Sequence, residues 1–153
     1  MGADSQKLPD RVEFEQMLET QLKTPLTERG SYVLIWELDG KAVSHSNHRP
    51  FIFGKDRSIH LHLWNTENQR SGVGTDLLKR SMVQFFERLE LDQIVCKPCA
   101  VNAAPNCTSK KVGFEFVKAY RTVPGSINFE QEVNQWVMSR IMFEEPIGLG
   151  FAY

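Results

Sequence analysis

The stretch Gln69-Arg70-Ser71-Gly72-Val73-Gly74-Thr75 constrains this chain more than any other, because a strand pattern ends just before it and a helix pattern begins just after it. Upstream, Ile59, Leu61 and Leu63 alternate with Ser58, His60, His62 and Trp64, the period of two expected of a strand. Downstream, Leu77, Leu78, Met82, Phe85, Phe86 and Leu89 recur at helical spacing and would form one buried face. Gly72 and Gly74 remove side chains where the chain turns into the helix, so several backbone N–H groups can point into one concavity. With the positive end of the helix dipole behind them, they suit an anion, most naturally a pyrophosphate. A glycine pair alone also fits a plain tight connection between strand and helix.

The 153 residues, 41% apolar and 24% charged, suffice for one soluble globular domain over residues 1–153, with a core of its own. A net charge of −1 and the lack of like-charge runs exclude a general attraction to nucleic acid or to anionic membrane. No segment approaches the roughly 20 apolar residues of a membrane span, and MGADSQKLPD lacks the apolar core of a secretory signal, so a cytoplasmic protein is expected. The three cysteines, Cys96, Cys99 and Cys107, are expected to be free thiols. Cys96 and Cys99 form a CxxC, a pattern of redox or zinc sites. Here Pro98 and the apolar flanks Ile94, Val95, Ala100 and Val101 read instead as a strand, where positions three apart face opposite ways, so no metal is expected.

Along the chain, Asp10 and Glu13 resemble a capping box, and Val12, Phe14, Met17, Leu18 and Leu22 keep helical spacing until Pro25. Two strand-like runs, SYVLIWEL and KAVSHSN, flank Asp39-Gly40, a strong hairpin signal. A second turn at Gly54-Lys55-Asp56, after Phe51-Ile52-Phe53, leads into the strand that ends at Trp64, giving a three-stranded antiparallel meander. After the helix from about Thr75 to Leu89, a strand from Ile94 to Val101 would return parallel to that of His60 and His62 in a right-handed β-α-β unit. Pro105 and Gly113 suit the start and end of a short helix, Phe114 to Ala119 resumes a strand, and Trp136 to Phe143 reads as a final strand antiparallel to it. The result is one α+β domain with a mixed sheet.

This order and two local motifs resemble the GNAT superfamily of acyl-coenzyme A N-acyltransferases. Gln69-x-x-Gly72-x-Gly74 matches the family's (Arg/Gln)-x-x-Gly-x-(Gly/Ala) pyrophosphate motif, and Asn102 through Gly113-Phe114 resembles its second motif, an asparagine at a strand end before a helix closed by Gly-Phe. The resemblance spans about Tyr32 to Phe143, and NAAPNCTSKKVGFEFV and PGSINFEQEVNQW look most like the RimJ/RimL-like branch. It implies a mixed, mostly antiparallel sheet with a central splayed pair of parallel strands flanked by helices. The family opens with a strand before its first helix, which is not evident here.

The resemblance further implies that backbone N–H groups over Arg70, Ser71, Gly72, Val73, Gly74 and Thr75, after Gln69, hold the pyrophosphate of acetyl-coenzyme A. Its pantetheine arm would lie along Leu63 and Trp64 between the splayed strands, bonded also by Asn102. His60 and His62 share the face from which related enzymes present a base to the amine, and His60 matches a histidine position of the arylalkylamine acetyltransferases. An imidazole near pKa 6.5 suits base work at neutral pH, although a histidine on a half-buried strand is also often structural. The family's tyrosine four residues before the Gly-Phe glycine, which protonates the leaving thiolate, is Ser109 here; RimL-like enzymes have been read as using serine in that role. His45 and His48 lie in a hairpin that could border the acceptor pocket, although loop histidines are usually just exposed; Glu37, Glu67 and Glu115 are read as surface charges, and Trp36, Trp64 and Trp136 as core or groove walls.

The expected protein is thus an acetyl-coenzyme A-dependent N-acetyltransferase whose acceptor is a small amine or a peptide N-terminus. A non-catalytic coenzyme A-binding module of the same fold is the rival. A P-loop or dinucleotide domain is disfavoured because no Gly-Lys-Ser/Thr follows the turn. The unpaired start of the sheet and the apolar last strand would leave edges for a homodimer.

Overall fold

Asp10 starts the first helix by the reciprocal bonding its spacing to Glu13 predicts. The computed structural model, which describes residues 4–28, 32–48, 57–64, 72–125 and 127–144, has helix α1 at Arg11–Lys23. The Asp10 carboxylate accepts from the Glu13 N–H at 2.9 Å, and the Glu13 carboxylate accepts from the Asp10 N–H at 3.0 Å. Two donors left over at the helix start are satisfied in this way. The apolar stripe is only partly used, because Val12, Phe14 and Leu22 stay exposed and no residue of α1 is fully buried.

Asp39-Gly40 joins β1 (Tyr32–Leu38) to β2 (Lys41–His48). Both turn residues have positive φ, 51° and 71°, the left-handed pair that lets a two-residue turn follow the twist of its strands. β3 (Arg57–Leu63) pairs antiparallel with β2 and completes the meander. The triplet Phe51-Ile52-Phe53 and the turn at Gly54-Lys55-Asp56 lie outside the described residues.

Helix α2 (Val73–Leu89) crosses over to β4 (Gln93–Cys96), which runs parallel to β3. Helix α3 (Ala103–Val112) follows and ends at Gly113, whose φ of 102° is the left-handed cap that glycine adopts without strain. Then come β5 (Glu115–Thr122), β6 (Gln131–Ser139) and the short α4 (Arg140–Glu144). The sheet has six strands in the order β1-β2-β3-β4-β6-β5, with β3 and β4 as its parallel neighbours.

Two boundaries and one sheet position differ from the sequence expectation. The strand expected to reach Val101 stops at Cys96: the pairing with β3 ends there, and on the β6 side Pro98 has no N–H to continue the ladder, although its carbonyl still accepts from Asn134. The run Trp136–Phe143 is not one strand: β6 ends at Ser139, whose hydroxyl accepts from the Met142 N–H at 3.2 Å at the entry to α4. β6 is also not an edge. It lies between β4 and β5 with Val133 and Met138 buried, while β5, carrying Lys118 and Arg121, takes the edge opposite β1.

α2 lays Leu78, Met82, Phe85, Phe86 and Leu89 against Ile59, Ile94, Val112, Phe114 and Met138. Ser81 lies buried in the same helix face with its hydroxyl satisfied: it donates to the Leu77 carbonyl at 2.8 Å, accepts from Trp36 Nε1 at 3.1 Å and lies 2.9 Å from Ser46 Oγ. At the far end of α2, Arg140 donates to the carbonyls of Phe86 at 2.8 Å and Leu91 at 3.0 Å, closing off acceptors that the helix end leaves unpaired. Among the described residues no helix is long and apolar enough to cross a membrane.

Candidate functional site

The parallel pair is short. β3 and β4 are in register only at Arg57 with Ile94, Ser58 with Val95 and Ile59 with Cys96. Beyond Cys96 the chain stays with β6: the Asn134 N–H donates to the Pro98 carbonyl at 3.0 Å, and the Ala100 N–H donates to the Glu132 carbonyl at 2.9 Å. β3 meanwhile stays with β2, and the Trp64 N–H donates to the Val43 carbonyl at 3.0 Å. A gap therefore opens between the two parallel strands. Since the Trp64 N–H points at β2, alternation along the strand turns the N–H and C=O groups of Leu61 and Leu63 toward the gap.

Two helices begin beside it. Gly72 is the N-cap of α2 with φ of 88°, a conformation that an L side chain would strain, and no side chain caps the helix. The Thr75 and Asp76 N–H groups bond to the Gly72 carbonyl at 2.9 and 3.1 Å. Those of Val73 and Gly74 have no hydrogen-bond partner among the described residues, and Gln69, Arg70 and Ser71 lie outside them. A Cβ on Gly74 would come within 3.3 Å of Leu63 Cδ1, so glycine there lets α2 start close against the end of β3.

Asn102, half-buried, is the N-cap of α3, and its side chain makes no capping bond. Its carbonyl accepts from Asn106 Nδ2 at 2.7 Å, and the same nitrogen donates to the Cys99 carbonyl at 3.0 Å. Asn106 Oδ1 accepts from Trp136 Nε1 at 2.8 Å and from Asn134 Nδ2 at 2.9 Å. One amide thus ties the turn before α3 to β6 and holds the gap's far wall. Its only sequence signal is a polar residue in the first turn of a helix that packs inward. Ser109, one turn further, is buried with its hydroxyl bonded to Cys96, the last paired residue of β4. Burial pushes the Cys96 thiol up to about 12 against the opposing effect of that bond, so this cysteine is an un-ionised thiol; it and Cys99 are free.

Ile59, Leu61 and Leu63 face α2, so His60, His62 and Trp64 emerge on the opposite face of the sheet. β2 brings His45 directly across from His62 and Asn47 across from His60. His45 therefore sits mid-strand, in the run KAVSHSN that reads as a strand, with its ring against His62. The His45 and His62 rings stack at 4.8 Å and those of His60 and His62 at 6.3 Å. Trp64, 49% exposed, donates its Nε1–H to His45 Nδ1 at 2.8 Å, so the neutral His45 ring carries its proton on Nε2.

All three imidazoles are held below the ordinary histidine range. Burial lowers His60 to about 4, helped by His62, Lys97 and His45; burial and then His62 lower His45, and burial lowers His62. The row is neutral at pH 7 and can accept protons. No set of three His, Cys, Asp or Glu side chains among the described residues is arranged to hold a metal ion. Glu37 and Glu115 are exposed, as expected, and Glu67 lies outside the described residues.

No family model and no curated protein matches the sequence. Solved structures do. The aminoglycoside acetyltransferase AAC(6')-Ib in complex with coenzyme A is similar with a TM-score of 0.66 at 20% identity, over 76% of this chain and 70% of that one. A variant of the spermidine N-acetyltransferase SpeG from Vibrio cholerae is similar with a TM-score of 0.72 at 13% identity, over 88% of this chain and 78% of that one. The ribosomal-protein-alanine N-acetyltransferase from Brucella melitensis is similar with a TM-score of 0.66 at 21% identity, over 88% of this chain and 81% of that one. With its mixed sheet, single parallel pair and flanking helices, the chain has the GNAT acetyltransferase fold.

Proposed function

We propose that this protein is an acetyl-coenzyme A-dependent N-acetyltransferase that passes the acetyl group directly to a primary amine, a small amine or a peptide N-terminus, in a ternary complex. The observation that carries the reading is the gap between β3 and β4, with unpartnered N–H groups of α2 beside it and a row of neutral imidazoles on the next strand edge. The similar structures add that proteins of this fold have been solved with coenzyme A, and that their acceptors by name are amines. The Asn102 to Gly113-Phe114 segment and the likeness to an alanine N-acetyltransferase favour the RimJ/RimL-like branch.

Coenzyme A fits the residues present. The N–H groups of Val73 and Gly74, with Gln69, Arg70, Ser71, Gly72 and Thr75 completing the turn, would hold the pyrophosphate against the positive end of α2. Leu61 and Leu63 offer backbone donors and acceptors for the pantetheine amides as a neighbouring strand would, with Trp64 beyond them and Asn102 across the gap. When bound, acetyl-coenzyme A supplies the thioester carbonyl that the amine attacks.

His60 takes the nitrogen's proton as the N–C bond forms; as the C–S bond breaks, the Ser109 hydroxyl donates to the departing sulfur and regains a proton by way of water, so the products are the amide and the free thiol. A base near pKa 4 is poorly matched to a free ammonium of about 10.4. It suits the far more acidic N–H of an amine already bonding to the carbonyl, and the proton then passes from His60 to solvent. A backbone N–H of Leu61 or Leu63 stabilises the developing oxyanion.

One observation favours the rival reading, a non-catalytic coenzyme A-binding module: Ser109, in place of a tyrosine, is buried against Cys96. Calorimetric titration with coenzyme A, run beside a thiol-release assay over a panel of amines and N-terminal peptides, separates the two. Binding with amine-dependent thiol release is expected. Binding without release across the panel would favour the module, and no binding would remove the assignment of the gap.

A further inference from the structure

Lys97 brings a positive charge to the gap from its far side. Ile94 and Cys96 turn into the core with α2, so Val95 and Lys97, the latter held extended by the proline after it, face the side of the sheet that carries His60 and His62. Ile59 and Cys96 are the last partners of the parallel pair. His60 and Lys97, the next residue on each strand, therefore stand across from one another where the gap opens.

The lysine is half-buried and makes no ion pair or side-chain hydrogen bond with any of the described residues. A ligand can reach its ammonium. The unpartnered side-chain atoms shut off from solvent among the described residues are Ser44 Oγ and Asn47 Oδ1, and Lys97 Nζ is not one of them. Its charge acts on His60: after burial, His62, Lys97 and His45 lower that imidazole, all in the same direction. Glu115, on the same face, is exposed and two strands away from Val95.

Such a place repels an ammonium. A polyamine needs carboxylates to hold its charges and would here meet a cation instead. An amine that also carries a carboxylate fits better. Pairing with Lys97 gives that carboxylate a charge-assisted partner, and it takes up the negative charge that would otherwise help keep the nearby nitrogen protonated. Held at its carboxylate on one side of the gap, the substrate then has its nitrogen directed to His60 on the other. We propose that Lys97 determines specificity, its ammonium binding a carboxylate that the acceptor carries a few carbons from its amine, so that the protein acetylates amino acids in preference to polyamines. This assignment names the acceptor class of the acetyltransferase reading and rests on it.

The test uses the full chain with Lys97→Met, similar in length without the charge, and Lys97→Arg, which keeps a charge that can pair. kcat/KM would be measured for glycine, β-alanine, aspartate and phenylalanine, for their amides and for spermidine, beside calorimetric titration with coenzyme A. The wild type should favour amino acid over amide, with spermidine the poorest acceptor. Lys97→Met should lower that preference roughly 10- to 100-fold, mostly through the KM of the amino acid, and Lys97→Arg should keep most of it. Coenzyme A should bind all three proteins alike. A wild type that takes the amides or spermidine as well as the amino acids overturns the assignment. So does a Lys97→Met protein that keeps the preference, or one that loses coenzyme A affinity instead, which would make the lysine a coenzyme contact. Should the wild type bind coenzyme A and acetylate no amine, the acetyltransferase reading fails first and takes this assignment with it.

Discussion

The two faces of the sheet at β3 treat polar groups in opposite ways. On the α2 side, Ile59 and Leu61 pack into the core, and Ser46, Ser81 and Trp36 bond to one another. On the other side, three imidazoles, an indole and an amide stand together, each of these three imidazoles is held below its ordinary pKa, and Asn47 Oδ1 is unpaired. Selection for stability alone would satisfy or expose such groups. Clustered histidines held below their ordinary pKa, rather than an unpaired oxygen, set the second face apart, since Ser44 Oγ on the α2 face is unpaired as well.

If that division holds, His60→Gln should lower kcat/KM about 10²–10⁴-fold while leaving Tm unchanged or higher; a parallel fall in Tm would break the comparison. Phe85→Ala, on the opposite face and fully buried, should cost about 3–5 kcal/mol of stability in urea unfolding with kcat/KM per folded molecule little altered. Asn106→Ala should fall between the two. It removes four hydrogen bonds at the far wall of the gap, costing about 1–3 kcal/mol and raising KM for coenzyme A more than it lowers kcat.

A further effect is in pH. His60 takes a proton near pH 6.5 in the unfolded chain but only near 4 when folded, so between those values the unfolded state binds more protons. Stability should therefore be full above about pH 6.5 and decline as the pH falls toward 4. His45 and His62, lowered in the same sense, add to it. Urea midpoints across that window should show the slope, and His60→Gln should flatten it.

What could be read from sequence was local. The Asp10–Glu13 capping box, the Asp39-Gly40 turn, Gly72 at the head of α2 and Gly113 at the end of α3 each depend on a few adjacent residues, and each stands where its spacing places it. The end of β4 was not legible, because Pro98 and Ala100 are drawn to β6 by bonds to Asn134 and Glu132, far away in the chain. His45 could be placed in a strand-like run, but only the β2–β3 register sets it opposite His62. Ser109 could be found by counting from Gly113, but its bond to Cys96 could not. The glycine turn thus announced where a ligand would bind, whereas the groups that would act on it are assembled by strand pairing.

The most direct test follows the acetyl group itself. Acetyl-coenzyme A labelled in the acetyl carbon would be incubated with the protein and the amine panel, and the products separated by mass. Label in an amide, in one-to-one yield with free coenzyme A and dependent on His60, is the result expected. Label only in acetate, or none released with any amine, would contradict the account.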